Sequence, residues 1–438
     1  IEGVENYNKF YDLLNSLREE QQKTKTEIIS AVMECQFEDI LVDIISNSSF
    51  RNEISPKGVN SALLITNDLI HADYKMIIRK ILREHCMKHL IVFIKRKQHL
   101  AIQDWPGYFN KNGSEIASSI FCTTLKIIKI SAELNGITEE IVRGDFLGNL
   151  RNAFDIIGKE YYKLIVNIFN TMISGKHDEN VTSILIEYFS KPPNLKFIET
   201  YSMLKDPSQK ELIIEILLFL SSICRKSAEV YNAINQLNIF KNLKFLLENT
   251  NESSYKTRIC NLLGNMCRHS DFFYIPSKES GIIKPLLACC YDSDKATRKF
   301  ACFAIGNMAF LNDHLYEDFR PIIPRLVELL NDTEENTRAN AAGALGNFVR
   351  CGDSLCKDMI ECNAHEALLS LAEKEDVQTI QIIRVALFAL GNFCYHSMIK
   401  ANLQKINFLS RIENIKNKYK NDGLLQEHFE RIKKKLGT

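Results

Sequence analysis

The chain has 438 residues, with 55 basic and 54 acidic side chains, a net charge of +1 and 45% hydrophobic residues. This is the composition of a folded protein, and the charge balance argues against a large nucleic-acid footprint, which needs a basic face. Glycine (18) and proline (9) are scarce, which favours helices over a turn-rich β fold.

No apolar run approaches the ~18 residues of a membrane span; the longest candidate, Leu212 to Leu220, is broken by Glu215. Ile1 to Arg18 lacks the basic-then-apolar order of a signal peptide. The start at Ile1 reads as a boundary inside a longer product. Thirteen cysteines at scattered spacing, most among apolar neighbours, read as reduced core thiols of a cytoplasmic protein.

In chain order, Ile116 to Leu134 and Ile156 to Ile173 carry apolar residues at three- and four-residue steps and are expected to be helices. Trp105-Pro106-Gly107, Asn112-Gly113 and Pro192-Pro193 are punctuation between elements. Leu217 to Ser222 opens a more regular region. Its Ser221-Ser222 stands 43 residues before the first of four Gly-Asn pairs: Gly264-Asn265, Gly306-Asn307, Gly346-Asn347 and Gly391-Asn392. These pairs are 42, 40 and 45 residues apart, the period of armadillo and HEAT arrays. Each unit has an acidic turn such as Asp292-Ser293-Asp294, suited to helix N-caps. A small-residue helix such as Thr337 to Val349 follows, then an amphipathic helix such as Ile322 to Leu330. The expected fold is all-α, an armadillo/HEAT-like right-handed α-solenoid. Its expected parts are divergent helical repeats over residues 1–240, armadillo-type repeats over 241–405, and a closing helix with a basic tail over 406–438.

An Asn recurring once per repeat on the groove-lining helix forms a ladder of amides able to hold an extended peptide backbone. The same recurrence follows if each Asn bridges neighbouring repeats, and both readings stand. The candidate groove set is Asn265, Asn307, Asn347 and Asn392, with Phe303 and Phe388 four residues before two of them and Arg338 at the start of the third helix. The other positions four residues before an Asn hold Asn261 and Gly343, so the regular aromatic slots of nuclear-import adaptors are missing.

No catalytic motif is complete. There is no phosphate loop, no G-x-S-x-G elbow and no H-E-x-x-H helix. Gly144-Asp145-Phe146-Leu147-Gly148 has an extra residue inside a kinase Asp-Phe-Gly signature, and His71-Ala72-Asp73 lacks the Asn that should follow. His85, Cys86 and His89, and the group Cys351, Cys356, Cys362 and His365, lack zinc spacing and read as core thiols and surface imidazoles. His269 and His396 are expected to cap helix carbonyls. No catalytic, cofactor or metal residue is assigned.

The string Thr297 to Asn307 with Asn312 to Glu317, its continuation through Ile323 to Leu326 and Thr337 to Asn347, Leu355-Cys356 and Val385 to Leu390 together resemble the C-terminal armadillo region of Fused-family serine/threonine protein kinases. The resemblance covers roughly residues 250–400. It implies a parent with a kinase domain upstream, which alone would use ATP and magnesium, and no kinase activity in this chain. It also implies protein partners of ciliary or microtubule-associated type, a place in the cilium or axoneme, and a scaffold role in central-pair assembly. The alternatives are a free-standing cytosolic adaptor for extended peptides, and an enzyme with an unrecognised site in residues 1–240.

Overall fold

The computed structural model describes residues 56–71, 113–133, 146–155, 158–175, 179–200, 204–206, 208–374 and 380–437, with a few isolated positions besides. Trp105 to Gly107, His85, Cys86, His89 and Asp145 lie outside the described residues. Every regular element among the described residues is a helix, and none of these is long and apolar enough to cross a membrane. The chain divides into two compact units, residues 1–201 and 202–438.

In the first unit, α1 (Pro56–His71) packs on α2 (Gly113–Ala132), and α2 packs on α3 (Tyr162–Ser174). On α3, Ile165, Val166, Phe169, Met172 and Ile173 recur at helical spacing and are buried. Phe169 meets Phe189 of α4 (Glu179–Ser190) edge-on at 5.2 Å. Phe154 stacks on Phe197 at 4.7 Å. The expected helices over 116–134 and 156–173 are therefore present, the second starting at Tyr162 after a 3-10 turn at Lys159–Tyr161.

The second unit repeats one pattern. Six helices stack in series: α5 (Lys210–Lys226), α6 (Ser253–Met266), α7 (Lys295–Met308), α8 (Glu335–Asn347), α9 (Ile380–Phe393) and α10 (Gly423–Leu436). Between successive members the chain makes a short helix and a second helix, such as Tyr274–Ser280 and Ile283–Ala288. This is the α-solenoid of armadillo/HEAT type. In four of the five repeats the sharp turn between the two intervening helices takes a left-handed residue. Asn238, Asn363 and Asn407 take it at φ 47° to 53°, and Gly281 at φ 70°. In the remaining repeat the turn is a 3-10 segment, Arg320–Ile322, with Pro321 inside it and Pro324 at the start of the next helix.

The stacked helices have short, specific starts. The Asp294 carboxylate accepts from Thr297 N–H at 2.7 Å, and Asp422 accepts from Leu425 N–H at 2.9 Å. Their middles are small. A Cβ added at Gly346 would lie 2.7 Å from Cα and Cβ of Ala389 on the next helix. One at Gly264 would lie 2.5 Å from the Phe303 ring. These glycines set how closely α8 approaches α9, and α6 approaches α7.

Two substitutions on α8 separate close approach from helix propensity. Gly346→Ala should lower the unfolding free energy by about 1–3 kcal/mol through overpacking. Gly343→Ala meets only an ordinary 3.7 Å contact with Val385 and should raise it by up to about 1 kcal/mol. Urea unfolding of both variants checks the contrast.

Candidate functional site

The Gly-Asn pairs lie between successive stacked helices, and each asparagine reaches back to the repeat before it. Asn307 Nδ2 donates to Gly264 O at 2.8 Å, Asn347 Nδ2 to Gly306 O at 2.9 Å, and Asn392 Nδ2 to Gly346 O at 3.0 Å. The glycine of one repeat thus permits the approach, and its carbonyl takes the asparagine of the next. At the first rung Asn265 Nδ2 donates to Ser221 Oγ at 2.8 Å. Ser221 substitutes for the glycine carbonyl where the Gly-Asn pair is missing.

A second ladder runs behind the first. The buried hydroxyls of Tyr231, Tyr274 and Tyr316 donate to the backbone carbonyls of Asn265 (3.0 Å), Asn307 (2.5 Å) and Asn347. Burial pushes all three phenols well above the ordinary tyrosine pKa, so they stay protonated donors. The tyrosines recur at 43 and 42 residues. That periodicity was available from the sequence, but only the Gly-Asn pair draws the eye. His269 and His396 bond the carbonyls of Arg225 (3.0 Å) and Val349 (2.6 Å). They cap carbonyls as expected, those of the preceding stacked helix.

A third link lies at the other end of each stacked helix. Lys256 pairs with Asp292 at 2.8 Å, Arg298 with Asp332 at 2.7 Å and Arg384 with Asp422 at 2.5 Å. Each cation reaches the acidic turn that opens the following helix. Asp332 is nearly buried; burial works to raise its pKa, and the Arg298 fork and the Glu334 N–H outweigh that and hold it below the usual carboxylate range.

The remaining candidates have distinct surroundings. Phe303 is half-buried, lies over Gly264 and meets Phe300 edge-on at 6.4 Å. Arg338 donates from Nη1 to Asp332 O at 2.8 Å and so holds the turn before its own helix. Phe388 and Asn392 are covered by α10: the Arg431 guanidinium lies 4.9 Å from the Phe388 ring and bonds Asn392 Oδ1. Arg431 stands 39 residues after Asn392, where a further repeat would place its asparagine. The closing helix therefore continues the stack with Arg in the Asn position, which the loss of the Gly-Asn signature hides in the sequence. Along the ladder, Asn307 and Asn347 remain half-exposed, and no described residue bonds their Oδ1 atoms.

No three His, Cys, Asp or Glu side chains among the described residues are placed to hold a metal ion. Cys351 is exposed and Cys356 buried. His365 is buried, and that burial pulls its pKa down.

Comparison with known proteins follows this geometry. A model of HEAT-like repeats matches residues 296–348, which span α7 and α8. A serine/threonine-protein kinase TIO of Arabidopsis thaliana is 38% identical over 208 residues, 45% of this chain and 16% of that protein. Serine/threonine-protein kinase 36 of Mus musculus is 31% identical over 165 residues, 36% of this chain and 12% of that protein. Over about 40% of its length, the chain's homologues are Fused-family serine/threonine kinases. The chain spans no more than 16% of these relatives' length, and it is built of solenoid repeats. An engineered protein of known crystal structure superposes with a TM-score of 0.77 at 15% identity, with 100% of each chain covered. Another engineered protein gives 0.51 at 20% identity over 55% of this chain and 96% of its own. Both are likenesses of fold.

The ladder predicts a measurable cost. Asn307→Ala strands a buried glycine carbonyl and should lower stability by about 1–3 kcal/mol in urea unfolding. The Arg298–Asp332 link predicts a pH dependence. The folded-state pKa of Asp332 is depressed, so its contribution is present above the unfolded value of about 3.9 and is lost as pH falls through the lower folded value. Stability measured from pH 6 to pH 2 should fall less steeply in Arg298→Ala than in the parent chain.

Proposed function

We propose that the chain is a protein-interaction scaffold, the armadillo-repeat region of a Fused-like serine/threonine kinase acting in a motile-cilium, central-pair assembly. The observation that carries the scaffold role is the serial stack of α6 to α9, in which Asn307 and Asn347 are half-buried and no described residue bonds their Oδ1 atoms. There one N–H of each asparagine is committed to stacking, which leaves the second N–H and the Oδ1 of Asn307 and Asn347 for a partner. A ladder of amides at one-repeat spacing suits an extended backbone, which both donates N–H groups and accepts at its carbonyls. The kinase parent is supported by the relatives, and the ciliary setting by the resemblance of the Thr297 to Glu317 and Thr337 to Asn347 strings to the ciliary Fused-type kinases. Catalysis belongs to the parent's kinase domain, and this chain supplies partner surface.

Two measurements test the proposal. Residues 1–438 incubated with magnesium ATP and a generic protein substrate should transfer no phosphoryl group. Transfer by this chain alone would replace the scaffold with an enzyme. Native protein should carry Gly-rich-loop and catalytic-loop peptides in the same polypeptide and fractionate with axonemes. A native chain without them, spread through the cytosol, would favour a free-standing adaptor.

A further inference from the structure

The stacked helices differ in charge from the rest of the molecule. The chain as a whole balances 55 basic against 54 acidic residues. The four helices α6 to α9 hold seven cations and one acid, Glu335. Acids return at both ends of this stretch, with Glu211 and Glu215 on α5 and Glu427 and Glu430 on α10. The depletion is therefore confined to four successive repeats.

Most of the seven cations already have partners at the edge of the groove. Lys256, Arg298 and Arg384 pair with the turn of the next repeat, Lys295 lies 3.8 Å from Glu334, and Arg338 holds a backbone carbonyl. Arg258 and Lys299 have no acidic partner among the described residues. Both are half-buried. Arg258 lies seven residues before Asn265, on the face of the helix that carries the asparagine. Lys299 lies one turn before Phe303, with its ammonium 4.7 Å from the Phe300 ring. The aromatic faces of the region are also taken. Arg431 lies over Phe388, and Arg350 lies 4.1 Å over Phe310. A basic ligand would find the faces of Phe388 and Phe310 filled by the chain's own cations and would meet Arg258 and Lys299 as like charges.

We infer that the α6–α9 groove binds an extended acidic peptide segment, with carboxylates meeting Arg258 and Lys299 and backbone N–H groups meeting the Asn307 and Asn347 oxygens. The inference rests on the groove being the partner-binding face, and it adds the partner's chemistry. Three steps of about 10 Å between packed helices span about 30 Å, or roughly nine extended residues. A ligand of that length with acids toward the end lying on α6 and α7 and an apolar residue near Phe303 matches the surface. Electrostatic complementarity of this kind sets partner choice and on-rate.

The test uses residues 1–438 and three fluorescein-labelled twelve-residue peptides of equal hydrophobicity, one rich in Asp and Glu, one in Lys and Arg, and one neutral. Anisotropy titrations should show the acidic peptide binding at least tenfold more tightly than the others. Its affinity should fall with added salt, and about tenfold or more with Arg258→Glu plus Lys299→Glu. Unchanged helical circular dichroism would show that this variant is folded, and Arg258→Gln plus Lys299→Gln, with a smaller loss, gives a second readout. Preferential binding of the basic or neutral peptide, blocked by Phe303→Ala, would overturn the acidic inference and leave the peptide-binding groove standing. Binding of none of the three would overturn both. A single-stranded oligonucleotide that displaces the acidic peptide and binds more tightly would overturn the peptide assignment.

Discussion

One hydrogen bond, from an asparagine amide to the glycine carbonyl of the preceding repeat, organises the second unit. It recurs at 2.8 to 3.0 Å between α6 and α7, α7 and α8, and α8 and α9. It needs both halves of the Gly-Asn pair. At Gly264 and Gly346 a side chain would push the helices apart and take the carbonyl out of reach. Without the amide a buried carbonyl has no donor. Between α6 and α7 and between α7 and α8, a tyrosine hydroxyl and a cation–Asp link add two further connections. Each connection joins only neighbours, so the stability of the array accumulates along the chain.

The same bond decides what the groove can offer. An amide has two donor hydrogens and one acceptor oxygen, and at Asn307 and Asn347 stacking uses one of the hydrogens. Asn307 and Asn347 therefore keep one donor hydrogen and the acceptor oxygen for a partner. At Asn265 the oxygen is buried and unpaired, and at Asn392 it is taken by Arg431. The ladder is open in its middle and closed at its ends. With cations along the same helices, the available surface favours a partner that donates N–H groups and carries carboxylates.

The sequence was most legible where the constraint is tightest. Close helix approach leaves no room for a Cβ at Gly264 and Gly346, and the Gly-Asn recurrence at these positions and at 306 and 391 announces the repeat and the all-α class. The asparagine role was not legible, because an amide serves stacking and peptide binding equally well until its partners are known. Ser221 and Arg431 were hidden for another reason: both fill ladder positions with different chemistry, a hydroxyl acceptor and a guanidinium donor, and so break the visible pattern. The charge asymmetry of α6 to α9 depends on knowing where each helix begins. The acids of Asp292-Ser293-Asp294 lie next to α7 in sequence but belong to the turn.

The most direct measurement of this account is side-chain amide hydrogen exchange in protein labelled with nitrogen-15 at asparagine, without any partner. If the asparagines hold the repeats together, the Nδ2 hydrogens of Asn307, Asn347 and Asn392 will exchange slowly in the free chain, and adding a groove ligand will change them little. Fast exchange in the free chain, with protection appearing only when ligand is added, would mean that the ladder exists for the partner and that something else stacks the repeats.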